Sequence, residues 1–152
     1  MAGGQAVTDG WALMQAALRT WGRWGPHPFA SGVEQRTWWI GVAAVVVELR
    51  YKEGDFLPLH RDKASVLGQI HVVVSEQSEA DFLRVDEEET VRWWRCPSPL
   101  GEDRQIEVLV FRPDRHAHHV LPCIEPRRSI IFGLTIFDKG LVSRVAERCG
   151  VS

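Results

Sequence analysis

The chain has few of the features that mark secreted, membrane or nucleic-acid-binding proteins. Its three cysteines, Cys96, Cys123 and Cys149, are widely spaced and form no C-x-x-C pair, so they predict neither a disulfide framework nor a thiolate zinc site. Neither sign of charge is in excess, since 18 basic and 20 acidic side chains leave a net charge of −2, which gives no reason to expect nucleic acid or an anionic membrane as partner. The longest apolar run, residues 42–47, is too short to span a bilayer, and the first residues do not resemble a signal peptide. We therefore expect a cytoplasmic protein with reduced thiols.

The size and composition predict one folded domain. The 152 residues, of which 45% are hydrophobic, are enough for a substantial core but not for two domains. We interpret residues 1–152 as a single domain with a helical segment at 1–40, a β-rich core at 42–137, and a tail or short helix at 138–152.

The N-terminal segment has the periodicity of a helix. Between Thr8 and Trp21, Trp11, Leu18 and Trp21 recur at helical spacing, and either Thr8 or Asp9 is suited to cap the first turn. A loop rich in glycine and proline follows at residues 22–32.

The rest of the chain consists mainly of short apolar and β-branched runs separated by turn residues. The predicted strands are residues 42–51, 66–75, 81–85, 91–95, 106–111, 116–124 and 127–137, and a short helix is predicted at 141–149. Seven or eight short strands with turns every eight to twelve residues favour a β-sandwich or barrel.

Histidines and one aspartate suggest a metal site. His60 and Asp62 are two positions apart, so on an extended chain both side chains point to the same side. A later cluster of His116, His118 and His119 can supply a third ligand from another strand. Two imidazoles and one carboxylate on one face of an ion, with the other positions open, are typical of non-haem Fe(II) sites that activate oxygen.

A pair of arginines after the histidine cluster suggests a carboxylate site. On a strand, Arg127 and Ser129 share a face, and a guanidinium beside a hydroxyl can grip a carboxylate. A register slip of one residue would turn Arg128 and His119 inward instead of Arg127 and His118. The spacings His118-x-Val120 and Arg127-x-Ser129 favour His118 and Arg127, and the other register stays open.

The ordered set of motifs resembles a known family. The motifs are Tyr51-Lys52-Glu53-Gly54, His60-Arg61-Asp62, Phe111-Arg112-Pro113, His118-His119-Val120-Leu121-Pro122 and Arg127-Arg128-Ser129. Over residues 45–137 they are similar to the Fe(II)/2-oxoglutarate-dependent oxygenases of the prolyl-hydroxylase-like type.

The resemblance implies a fold and a set of site residues. It implies a double-stranded β-helix, or jelly-roll, with an N-terminal helix packed on the sheet. The implied roles are iron binding by His60, Asp62 and His118, binding of the distal carboxylate of 2-oxoglutarate by Arg127 and Ser129, and a hydrogen bond from Tyr51 to this cosubstrate.

His71 is a further candidate for cosubstrate contact. Gln69-Ile70-His71 is similar to the R-x-H strand of aspartyl/asparaginyl-hydroxylase-like relatives, but glutamine replaces the arginine and leaves the subfamily open.

The implied activity is hydroxylation of an unactivated C–H bond of a small molecule or amino acid, with O₂ consumed and succinate and CO₂ released. Desaturation and cyclisation share the first steps, whereas the Asp62 carboxylate argues against halogenation. The alternatives are a protein or peptidyl hydroxylase, and a non-catalytic jelly-roll binding module. We expect a small-molecule partner rather than nucleic acid or membrane.

Overall fold

The computed structural model describes residues 6–40, 44–62, 70–77, 83–85, 92–99, 105–134, 139–148 and 150–151, and their fold is mainly β. The strands are β1 (Ala6–Thr8), β2 (Gly25–Pro26), β3 (Glu34–Ile40), β4 (Ala44–Tyr51), β5 (Leu57–Asp62), β6 (Ile70–Gln77), β7 (Leu83–Val85), β8 (Arg92–Pro97), β9 (Gln105–Phe111), β10 (His118–Val120) and β11 (Arg127–Leu134). The helices are α1 (Gly10–Arg19) and α2 (Lys139–Arg148).

The strands form two sheets. The larger sheet is antiparallel with the order β2-β3-β4-β11-β6-β9-β8, and the smaller has the order β1-β5-β10-β7. In the smaller sheet β10 pairs antiparallel with β5 and β7, while β1 runs parallel to β5.

The core lies between the inner faces of these sheets. Alternate residues of β4, among them Val47, Leu49 and Tyr51, are buried, as expected for a strand with one face turned inward. They belong to the same hydrophobic cluster as Leu57 and Val120 of the smaller sheet. The site described below opens into this cluster.

The outer face of the larger sheet has polar and apolar parts. At one end Glu48 forms ion pairs with Arg36 and Arg128, and the Arg36 guanidinium lies 4.7 Å from the ring centroids of both Trp24 and Trp38. At the other end α2 covers β6, β9 and β11, through a small cluster that contains Ile70, Val110, Ala146 and Val151.

Helix α1 forms as predicted, but the predicted apolar face was wrong. Asp9 is the N-cap, and its side chain accepts a hydrogen bond from the Trp11 backbone N–H at 3.0 Å. The buried residues are Leu13, Ala16 and Ala17, whereas Trp11, Leu18 and Trp21 are 65%, 58% and 47% exposed. Leu13 and Ala17 belong to the hydrophobic core cluster, so the helix turns its alanines and Leu13, rather than its tryptophans, toward the core.

Three other sequence predictions need correction. Residues 1–40 are not only helical, because they also contain β1, β2 and β3. The strand predicted at 116–124 is limited to His118–Val120, because the flanking chain makes turns, with the N–H groups of Arg115 and His116 donating to the Arg112 carbonyl. The strand β5 was not predicted, since Pro58 interrupts its pattern.

The parts of the predicted strands at 42–43, 66–69, 81–82, 91 and 135–137, together with Cys149, lie outside the described residues. Among the described residues, Cys123 is buried and forms no disulfide. Neither described helix has the length and apolar character needed to cross a membrane.

Candidate metal centre

Three buried side chains converge on one point between the sheets. His60 and Asp62 lie on β5, and His118 lies on β10 directly opposite His60 in the strand register. One ligand atom from each lies within 4.8 Å of the others. This group could bind a metal ion.

Hydrogen bonds to backbone carbonyls set the tautomers of both histidines. His60 Nδ1 lies 2.7 Å from the Pro58 carbonyl oxygen, and His118 Nδ1 lies 2.9 Å from the His116 carbonyl oxygen. Because a carbonyl oxygen only accepts, each Nδ1 carries a proton, and in the neutral ring Nε2 then holds the lone pair. This is the orientation in which neutral histidines bind metals.

The electrostatic environment favours an uncharged His118. Burial, followed by the nearby His60, lowers the pKa of His118 well below its ordinary value. His60 Nε2 lies 3.5 Å from Asp62 Oδ1, so an imidazole and a carboxylate stand close enough to share one ion. Three protein ligands leave coordination positions for other molecules.

The group opens into a narrow cavity of about 60 Å³ between the two sheets. The cavity is lined by Leu13, His27, Phe29, Gln35, Val47, Leu49, Tyr51, Leu57, His60, Asp62, His71, Val73, Phe111, His118, Val120, Arg127, Ser129 and Ile131. All predicted site residues therefore meet at one place, although they come from five strands.

Arg127 is a buried cation facing this cavity. Its side chain is on the inner face of β11, and the residue is only 4% exposed. Nη2 donates to Ser75 Oγ at 3.0 Å, while Nε and Nη1 are buried and have no hydrogen-bond partner within the described residues. Buried polar groups normally have partners, so these two N–H groups fit a bound anion.

Tyr51, Ser129 and His71 surround the same end of the cavity. Burial raises the pKa of Tyr51 well above its ordinary value, which keeps the phenol neutral and able to donate. The Arg127 guanidinium lies 5.9 Å from the Tyr51 ring centroid, and Ser129 is buried on the same face of β11. His71 lies on β6 with its ring edge toward Phe111, at a centroid distance of 5.7 Å.

The register has His118 and Arg127 turned inward. Arg128 is exposed on the opposite face of β11, where it pairs with Glu48. His119 is only partly buried and does not line the cavity.

No motif or spacing pointed to the part of the cavity formed by α1, the following loop and β3. Leu13, His27, Phe29 and Gln35 line it. Phe29 packs edge-on against His60, with ring centroids 4.8 Å apart. These residues belong to no motif, and a lone histidine in a loop rich in glycine and proline gives no signal by spacing.

No protein-family model matches the chain, and no curated protein is detectably similar to it. The chemistry of the site therefore has to be inferred from its own geometry.

Proposed function

We propose that the protein is a non-haem Fe(II)/2-oxoglutarate-dependent dioxygenase that hydroxylates an unactivated C–H bond of a small molecule or amino acid. The observation that carries the proposal is the pairing of two features in one cavity. A buried group of two histidines and one aspartate stands on the smaller sheet. A buried arginine stands on the larger sheet, with two N–H groups that have no hydrogen-bond partner among the described residues.

The donor set suits Fe(II). Imidazole nitrogens and a carboxylate oxygen are ligands that ferrous iron prefers, and a three-residue set leaves adjacent positions for a cosubstrate and O₂. When bound, the ion would supply the activation of O₂ that C–H hydroxylation needs. With each Nδ1 engaged by a backbone carbonyl, His60 and His118 would bind the ion through Nε2, and Asp62 would bind it through a carboxylate oxygen.

A dicarboxylic keto acid suits the opposite end of the cavity. Arg127 can donate from Nε and Nη1 to a carboxylate, and the Ser129 and Tyr51 hydroxyls lie on the same inner face. With one carboxylate held there, the keto-acid end of 2-oxoglutarate would face the ion. The overall reaction converts 2-oxoglutarate, O₂ and R–H to succinate, CO₂ and R–OH.

The rest of the lining has to exclude water and orient the substrate. The inner faces of β4, β6 and β9 supply apolar side chains such as Leu49, Val73 and Phe111. A dry wall strengthens the electrostatic contacts inside the cavity and protects reactive species from side reactions.

The strand order supports the double-stranded β-helix that the motifs imply. From β4 onward the chain passes between the sheets repeatedly, with β4, β6, β8, β9 and β11 in the larger sheet and β5, β7 and β10 in the smaller. Sandwiches of this kind arise when successive strands are exchanged between two facing antiparallel sheets.

Anaerobic titration with Fe(II) and 2-oxoglutarate tests the proposal. We expect the weak visible charge-transfer band of the chelate, and we expect His60→Ala and Asp62→Ala to abolish it. His119→Ala is the matched control, because this neighbouring imidazole does not line the cavity. Admission of O₂ should then release succinate.

Two results would contradict the proposal. The first is the absence of the band in the wild-type protein. The second is a band that survives His118→Ala but is lost in His119→Ala.

A further inference from the structure

One wall of the cavity is formed entirely by residues outside the 45–137 stretch that carries the family motifs. We call Leu13, His27, Phe29 and Gln35 the N-terminal wall. It combines a leucine and a phenylalanine with two side chains capable of hydrogen bonding, and none of the four is an acid, a lysine or an arginine.

The His27 ring is fixed as a neutral donor. Its Nδ1 accepts hydrogen bonds from the backbone N–H groups of Phe29 and Ala30, at 3.3 and 3.2 Å. Because Nδ1 accepts, the proton of the neutral ring is on Nε2. Burial, and then repulsion from His60, lowers the pKa of His27 to about 3, so the ring remains uncharged at neutral pH.

The aromatic part of the wall lies beside the metal group. The His27 ring packs edge-to-face on Phe29 with centroids 4.5 Å apart, and Phe29 in turn packs against His60. With Nδ1 turned to the loop backbone, the opposite edge of the ring, which carries Nε2, is the part available to the cavity. Nε2 has no hydrogen-bond partner within the described residues.

We propose that the N-terminal wall is the substrate subsite, and that His27 donates from Nε2 to the amide carbonyl oxygen of a small, largely apolar substrate. The inference rests on the proposed function, because it assigns iron to Asp62 and its neighbours and the cosubstrate carboxylate to Arg127. The proposed function allows any small molecule or amino acid as substrate. The N-terminal wall restricts this to molecules in which the part that contacts the wall is uncharged.

The charged groups of the cavity favour an amide over a free amino acid as the substrate. Among the described residues that line the cavity, the acids, lysines and arginines are Asp62 and Arg127 alone. Asp62 would be engaged by the bound ion, and Arg127 by the cosubstrate carboxylate. The ammonium or carboxylate of a free amino acid would then be buried beside the wall without a counter-charge, which is costly. An amide carbonyl is a strong neutral acceptor, and one N–H donor satisfies it.

Two substitutions of His27 test hydrogen-bond donation from Nε2 separately from the bonds by which Nδ1 holds the loop. In His27→Asn the side-chain amide oxygen can take the place of Nδ1 and accept the hydrogen bonds from the loop backbone. The N–H group at the position of Nε2 is lost. In His27→Gln the longer side chain can return an N–H to the position of Nε2. Ser31→Asn is the matched control, because Ser31 is exposed on the same loop and does not line the cavity.

The experiment uses the whole protein loaded anaerobically with Fe(II) and 2-oxoglutarate. The probes are N-acetylated amino-acid amides with apolar side chains and the corresponding free amino acids, and binding is followed by the change in the visible band. We expect amides to bind more tightly than free amino acids. His27→Asn should weaken amide binding about three- to tenfold, as for a lost neutral hydrogen bond, and His27→Gln should recover part of it. The affinity for Fe(II) and the band without probe should stay as in the wild type.

The outcomes distinguish this inference from the proposed function. If the wild-type protein gives no band, the proposed function fails and this inference fails with it. If the band forms, the inference alone is overturned by any of three results: no amide changes the band, free amino acids bind as tightly as the amides, or His27→Asn binds the amides as the wild type does. Loss of the band in His27→Asn would also overturn it, since His27 would then belong to the metal centre.

Discussion

At the scale of single residues, Arg127 stands out because it is a buried cation, and two of its N–H groups have no hydrogen-bond partner in the part of the chain that the structure describes. Leaving buried N–H groups unpaired costs free energy, and a buried charge costs more. The larger sheet therefore gives up stability at this position, and a bound carboxylate would restore it. Replacing Arg127 by an apolar residue should therefore raise the free energy of unfolding of the ligand-free protein and lower its affinity for the carboxylate.

Arg127→Leu should make the ligand-free protein more stable, by about 1–3 kcal/mol, because an apolar side chain removes the unpaired N–H groups. The same variant should lose the response to 2-oxoglutarate. Urea unfolding and the anaerobic titration measure the two effects. Arg128→Leu is the control, because this exposed side chain should leave the cosubstrate titration unchanged. A destabilised Arg127→Leu variant that still binds 2-oxoglutarate would contradict this account.

The residues of the site differ in how far the sequence could reveal them. His60, Asp62, His118 and Arg127 could be proposed because their spacing has a chemical meaning on extended chains, and the structure brings them to one cavity. His27 could not, because its place beside the group depends on how the loop after α1 folds back toward β5.

At the scale of elements, local pattern predicted the strands with long apolar and β-branched runs and failed where tertiary context decides. The runs that form β4 and β11 were predicted as strands, and their pairing sets Arg127 opposite Tyr51. Between β5 and β10, His118 is opposite His60 and Val120 is opposite Leu57, so two residues of β5 lie opposite the single residue His119. Such a bulge breaks the period of two, so no periodicity search would find this strand.

The capping of α1 can be tested directly. Asp9→Ala should lower the free energy of unfolding by about 1 kcal/mol, because the Trp11 backbone N–H loses its acceptor. Gln15→Ala, at an exposed position within the same helix, is the control and should change stability by much less. Equal effects of the two substitutions in urea unfolding would contradict the capping role.

Glu48 joins three strands of the larger sheet and should make stability depend on pH. Burial works against its ionisation, but hydrogen bonds from Arg128 and Arg36 outweigh burial and lower the pKa of the Glu48 carboxyl from its ordinary 4.5. A lowered pKa in the folded state stabilises the protein above pH 4.5, and this contribution is lost as pH falls through the folded-state value.

Glu48→Gln should therefore cost about 1 kcal/mol at neutral pH, where both ion pairs are formed. The difference in the free energy of unfolding between the variant and the wild type should become smaller when the pH falls below the folded-state pKa of the Glu48 carboxyl. Thermal unfolding across this pH range measures it, with Glu53→Gln, an exposed change in the neighbouring turn, as control. A difference that does not vary with pH would rule out the ion pairs as its cause.

At the scale of the whole molecule, the candidate ligands lie on both sides of the core. His60, Asp62 and His118 belong to the smaller sheet, and Arg127 belongs to the larger. An ion alone would contact only the smaller sheet, whereas an ion together with 2-oxoglutarate would connect both. Binding to the folded state alone raises its stability according to ligand concentration.

We expect Fe(II) and 2-oxoglutarate together to raise the midpoint of anaerobic thermal unfolding more than Fe(II) alone. A ligand at 100 times its dissociation constant adds about 2.7 kcal/mol. His60→Ala should show no such rise, and a chelator should reverse it in the wild type. A rise with 2-oxoglutarate that persists after metal removal would show that the acid binds without the ion.

The placement of the two anchors on separate sheets has a consequence for engineering. Asp62 could be exchanged for another metal-binding side chain while β11 and its guanidinium stay untouched. Conversely, the length of acid accepted could be altered at Ser129 without disturbing the imidazoles. Under the proposed function, the metal ligands and the choice of acid can thus be redesigned one sheet at a time.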